Sequence, residues 1–242
     1  MKKFLSGINY LLSGFRLVLE PSVRVYVIIP FLINSFLFAG IILYGANTLN
    51  RLIDTFLSQW HWMEWLTWLL WPIFTIIVLT IVFFFFSVVA NFIGAPFNGF
   101  LSAAVERSLT GNEIKSETKQ SFARVIISAF EMEFQKFTYF IIRALPLLIL
   151  FLFPLINIAA PFIWLLFTAW MFTIEYGDYP MGNHDISFKI QREKFGSNRQ
   201  LAYGFGSGVM LLTMIPIINF LAMPVAVAGA TRMFIESSEL NS

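Results

Sequence analysis

Four long runs of this chain carry no charged side chain: residues 25–50, 65–105, 144–174 and 200–231. About 20 apolar residues suffice to cross the hydrocarbon core of a bilayer, so each run is long enough for lipid. Charged residues make up 12% of the 242 and hydrophobic ones 58%, whereas a soluble domain carries roughly 25% charged residues. The sequence therefore predicts a single all-α integral membrane domain over 1–242. There is no cysteine, and only His61 and His184 represent histidine, which removes disulfides, thiol nucleophiles and histidine-clustered metals. No cofactor or metal is expected. A dispersed net charge of +2 does not suit nucleic acid, and no Walker motif provides for ATP.

In residues 1–20, Phe4, Ile8, Leu11, Leu12, Phe15, Val18 and Leu19 recur at helical spacing, which predicts an amphipathic interfacial helix. Arg16, Glu20 and Arg24 interrupt any apolar signal core, so this segment is expected to persist in the mature protein. The first span is expected over 22–50. The second run, within an expected span over 64–107, holds 41 residues. As a helix it would be about 60 Å long, twice the roughly 30 Å core, so part of it must leave the lipid or break. Trp60, Trp62, Trp65, Trp68 and Trp71 form an aromatic belt at its start, and Gly94, Pro96 and Gly99 allow a kink or an exit at its end. A cytoplasmic or interfacial helix is expected over 116–143.

The third and fourth runs, assigned to hairpins over 144–174 and 200–232, share a pattern. Pro154-Leu155-Ile156-Asn157 is followed by Pro161, and Pro216-Ile217-Ile218-Asn219 by Pro224. Splitting either run at its Asn leaves halves of 13 to 19 residues, each roughly 20 to 28 Å as helix and short for a crossing. The prediction is two long transmembrane helices plus two re-entrant, hemi-penetrating helical hairpins; the alternative is one Pro-kinked span per run. In the first arrangement 15 of the 16 Lys and Arg residues share one side, Arg51 being the exception. Four spans would split them 11 against 5. The positive-inside rule favours the hairpins and puts both termini in the cytoplasm.

No charged group lies inside the runs, so an anion would have to be held by backbone dipoles and neutral side chains. Asn157 and Asn219 at the hairpin tips are candidates for such a pathway, with Asn91 and Asn98 in the second run; the alternative is that each tip Asn caps its own helix. At Pro21-Ser22-Val23-Arg24 a chain break followed by a new N-cap would free the amides of Val23 and Arg24 beside a guanidinium, a fit for a tetrahedral oxyanion. Arg24 could equally be a headgroup anchor. Glu175, Asp178 and His184 fall in a segment that reads as a tight cytoplasmic turn pairing with Arg107, Arg143 or Arg199, and a charge network with Glu106 and Arg107 is a further candidate.

Glu175-Tyr176-Gly177-Asp178-Tyr179-Pro180-Met181 with His184, and the stretch from Ile215 to Thr231, resemble the CysZ-type sulfate transporters and the related etoposide-induced membrane proteins. Pro21-Ser22-Val23-Arg24 leading to Pro30, and Ala95-Pro96-Phe97-Asn98 leading to Glu106-Arg107, are weaker matches. The resemblance implies an anion permease of the bacterial inner membrane, a channel or a proton-dependent transporter, that takes up sulfate for cysteine biosynthesis. It also implies a homo-oligomer among membrane lipids, with sulfate at Ser22, Val23 and Arg24. Many relatives carry a second Arg where this chain has Val25. The competing reading is a non-transporting membrane scaffold or assembly factor; an enzyme is not expected, since no nucleophile, base and orienting group stand together.

Overall fold

A computed structural model describes residues 2–57, 67–112, 122–153 and 157–239. The described residues form eight helices and no strand: α1 Lys2–Leu17, α2 Val25–Leu57, α3 Thr67–Thr110, α4 Phe122–Leu150, α5 Ala160–Asn183, α6 Phe188–Ser197, α7 Arg199–Thr213 and α8 Pro216–Glu239. Trp60, His61, Trp62, Trp65 and Pro154–Ile156 lie outside them, as does the side chain of Asn91. The chain divides into two compact units, one of Met1–Val27 with Asn98–Ser242 and one of Ile28–Phe97.

The smaller unit holds most of α2 and α3. Among the described residues, Val25–Thr48 is the one helical stretch long and apolar enough to cross a membrane, and none of its most apolar window is covered by protein. Phe31, Phe36, Leu43 and Tyr44 are all more than half exposed. α3 runs without a break from Thr67 to Thr110, so the long second run is resolved by continuation of one helix and not by interruption.

In the larger unit the core is made by α1, α5, α7 and α8, which pack backbone against backbone. α1 buries Gly7, Leu11, Gly14 and Leu17, a single stripe at helical spacing. A Cβ on Gly204 of α7 would lie 2.0 Å from the Phe4 carbonyl oxygen of α1, and one on Gly14 would lie 2.1 Å from the Val225 carbonyl oxygen of α8. On the other side of α7, a Cβ on Gly206 would be 1.7 Å from the Ala169 carbonyl oxygen of α5. Thr173 Oγ1 donates to the Ala202 carbonyl at 2.6 Å across the same contact. The amphipathic reading of α1 is thus half accounted for by protein: Leu11 and Val18 are buried, while Leu5, Leu12 and Leu19 stay uncovered.

Two expected boundaries move. The helix expected over 116–143 and the first arm of the 144–174 hairpin are one helix, α4, which passes through Pro146. The segment read as a tight cytoplasmic turn is helical, because α5 continues through Glu175 and Pro180 to Asn183. Its burial explains this: Gly177 lies so close to Phe195 of α6 that a Cβ would be 2.2 Å from the ring, and Tyr176, Asp178 and Met181 are buried. Tertiary packing overrides the local turn preference of Gly and Pro. The helices α4 (29 residues), α5 (24) and α8 (24) extend beyond the uncharged runs, whereas α7 has 15 residues and lies almost wholly within its run.

Substituting Gly206→Ala should force α5 and α7 apart and destabilise the fold by ~1–3 kcal/mol, the usual cost of overpacking. Gly40→Ala, where no atom lies within 4 Å, should be neutral or slightly stabilising. Thermal unfolding of the two purified variants checks the contrast, which disappears if the α5–α7 contact is loose.

Candidate functional site

The turn between α1 and α2 is the first candidate. It is a succession of tight turns and not a chain break: the amides of Val23 and Arg24 both donate to the Glu20 carbonyl, at 3.0 and 2.9 Å. The expectation of free amides at these two positions is therefore corrected, since an N–H already paired inside a turn is not offered to a ligand. Val23 is fully buried in the core, which leaves Ser22 and the Arg24 side chain exposed. Glu20, the nearest acid in sequence, is engaged by a hydrogen bond from Ser108 Oγ. Arg24 makes no ion pair among the described residues.

Glu106 and His184 on one side, and Glu175 and Asp178 on the other, lie in two separate clusters rather than in one network. In one, His184 Nε2 lies 2.9 and 3.0 Å from the two oxygens of Glu106. This pair fastens the end of α3 to the end of α5, helped by Asn183 Nδ2 donating to the Gly99 carbonyl at 3.0 Å. Ser102 and Thr231 add a buried hydroxyl contact of 2.9 Å to α8. Arg107 lies exposed nearby in α3.

The other cluster centres on a residue that the sequence reading passed over. Lys136 of α4 is buried, with 3% of its side chain exposed, and its Nζ lies 2.6 Å from Glu133, 3.1 Å from Glu175 and 3.2 Å from Asp178. Burial alone would weaken the ammonium, but Glu175, Asp178 and Glu133 outweigh it and hold the lysine above its ordinary pKa range. Partial burial raises the Glu175 carboxyl while Lys136 lowers it, with a net upward shift. Gln191 of α6 completes the ring by donating to Asp178 at 2.9 Å. Glu133 and Lys136 stand three apart on α4, and Glu175 and Asp178 three apart on α5; that i, i+3 spacing was the available signal. Glu175 and Asp178 therefore pair with Lys136 and not with Arg143 or Arg199. With three carboxylates around one ammonium, this cluster fastens α4, α5 and α6 together and repels an anion.

The pathway candidates separate in the same way. Asn98 is buried, and its Nδ2 lies 3.2 Å from both the Tyr179 hydroxyl and the Met223 sulfur, so it is a packing contact between α3, α5 and α8. Asn157 and Asn219 are exposed. Asn157 precedes α5, whose N-cap is Ala159 without a side-chain cap, and Asn219 sits one turn inside α8 with its amide bonded to the Ile215 carbonyl at 2.8 Å. Neither Asn is the N-cap of its helix.

Comparison with known proteins gives a family. Residues 10–224 match the family described as "Sulfate transporter CysZ/Etoposide-induced protein 2.4". The chain is 39% identical over 232 residues to "Sulfate transporter CysZ" of Vibrio parahaemolyticus, covering 95% of this chain and 94% of that one. Similar relatives occur in Pectobacterium atrosepticum, at 37% identity over 233 residues with 96% and 85% covered, and in Vibrio cholerae, at 39% over 236 residues with 95% and 93% covered. This is a family of transporters and not of enzymes. A match spanning the surface helix, both candidate clusters and the start of α8 makes the chain a member of the CysZ/etoposide-induced protein 2.4 family.

Proposed function

We propose that this chain is a multi-pass protein of the bacterial inner membrane that lets sulfate into the cell, where it supplies cysteine biosynthesis. The observation that carries the reading is the near-full-length similarity to relatives named as sulfate transporters. Physical support comes from the uncovered apolar length of α2, which water would not tolerate and lipid would. In this reading α2 and α3 are the two spans, while the α4–α5 and α7–α8 pairs enter the membrane with their apolar ends and return. Broken backbone at that depth requires protein or a water-filled cavity around it, which favours a homo-oligomer. The charge distribution puts both termini and the loops around Asn112 and Ser187 in the cytoplasm.

Sulfate is first held at the base of α2 by Arg24 with the Ser22 hydroxyl. The amides of Val23 and Arg24 are occupied, so the guanidinium supplies the main attraction through charge-assisted hydrogen bonds. The carboxylate-rich Lys136 cluster is then a fastening of the cytoplasmic side and not a stop on the anion path.

Cysteines introduced at Ser58, Asn112 and Ser187 should react with a membrane-impermeant reagent from outside only at Ser58. External labelling at Ser187 would replace the two hairpins by four spans. Arg24→Ala should weaken equilibrium sulfate binding by ~1.5–3 kcal/mol, with Arg24→Lys restoring it in part, because Lys keeps the charge and loses the planar fork. Equal affinities in wild type and both variants would make Arg24 a headgroup anchor.

A further inference from the structure

A cavity of about 680 Å³ opens where α4, α5, α6 and α7 meet, apart from the turn that precedes α2. Arg143, Lys189, Arg192 and Arg199 line it, against a single carboxylate from Glu193. None of the four cations forms an ion pair among the described residues. Two of them rest on the same aromatic ring: the Arg143 guanidinium carbon is 3.8 Å from the Tyr139 ring centre and that of Arg192 is 4.9 Å from it. Arg192 is fixed further by Phe188 at 5.0 Å, and its Nε is buried without an acceptor. Like charges gathered this closely repel one another unless an anion lies between them, and a buried N–H without a partner calls for an acceptor oxygen. Both features point to an oxyanion.

The rest of the lining decides which oxyanion. Leu147, Ile163, Leu166 and Trp170 form an apolar wall to the same cavity, and Ile163 and Leu166 are uncovered. A free tetrahedral anion has no use for such a wall, and the volume falls in the roughly 300–1,000 Å³ range of sites for much larger ligands. Cations at one end and aliphatic side chains at the other match a phosphate headgroup joined to an acyl chain. We propose that this cavity is a docking site for an anionic phospholipid, its phosphate held by Arg143 and Arg192 with Lys189 and Arg199 around it, and its acyl chain lying along α4 and α5. The proposal rests on the membrane reading but not on sulfate transport.

Native mass spectrometry of the delipidated full chain, incubated with phosphatidylglycerol or with phosphatidylcholine, tests it. Wild type should retain phosphatidylglycerol in preference by about tenfold or more, as expected for several Lys and Arg side chains near one anionic headgroup. Arg143→Gln/Arg192→Gln should lose that preference. Lys189→Gln/Arg199→Gln, which alters exposed side chains only, should reduce it with helical content unchanged and so guards against misfolding of the first variant. Millimolar inorganic sulfate or phosphate should leave retention in place. Equal retention of the two lipids by wild type, an unchanged preference in both folded double variants, or displacement of the lipid by inorganic sulfate would each overturn the proposal, the last by making the cavity a soluble-oxyanion site. Lipid retention is read without any flux measurement, so its failure and a failure of the transport reading are distinct.

Discussion

Backbone-to-backbone contact at glycines is the interaction on which the larger unit depends. Where Gly204 of α7 meets Phe4 of α1, and Gly206 meets Ala169 of α5, no side chain fits between the helices. Such contacts gain dispersion energy from close approach, and they do not require that water be expelled. That suits the proposed membrane location, because hydrocarbon gives no hydrophobic drive for one apolar helix to seek another. The same economy explains why so many large apolar side chains, from Phe36 on α2 to Phe162 on α5, remain uncovered. The fold spends small residues on protein contact and leaves large ones on its surface.

Polar groups then fix what the glycines bring together. Lys136 ties α4 to α5 through Glu175 and Asp178, and through Gln191 the tie reaches α6. Glu106 with His184 and Ser102 with Thr231 hold the end of α3 to α5 and α8. Removing one member of a buried charged group costs far more than the intact group contributes, since its partners are left unpaired. These clusters accordingly read as fastenings, whereas Arg24 before α2 and the four cations around the cavity beside Tyr139 form no ion pair among the described residues and are the groups that the proposals offer to an anion.

Helical content, the apolar runs and the periodicity of α1 were legible from residue order alone, because 3.6-residue spacing and the absence of charge are local properties. The involvement of Glu106, Glu175, Asp178 and His184 was legible too, but their partners were not. Lys136 lies about 40 residues before Glu175, and only the folding of α4 onto α5 brings the two together. Gly177 and Pro180 carried a turn signal that packing against Phe195 overrode. Pro21 carried a break signal, yet the Glu20 carbonyl accepts from the amides of Val23 and Arg24, in the turn immediately before α2. In each case the missing information was a long-range contact, or a choice between two hydrogen-bond partners that are adjacent in sequence.

The central claim is that this chain alone moves sulfate across a bilayer. Uptake of radiolabelled sulfate into sealed liposomes that contain only the purified, folded protein measures it directly. The account predicts sulfate entry well above that of protein-free liposomes, reduced when Arg24 is replaced by Ala. Entry no faster than into empty liposomes, with the protein folded and inserted, would contradict it and leave the chain as a membrane scaffold.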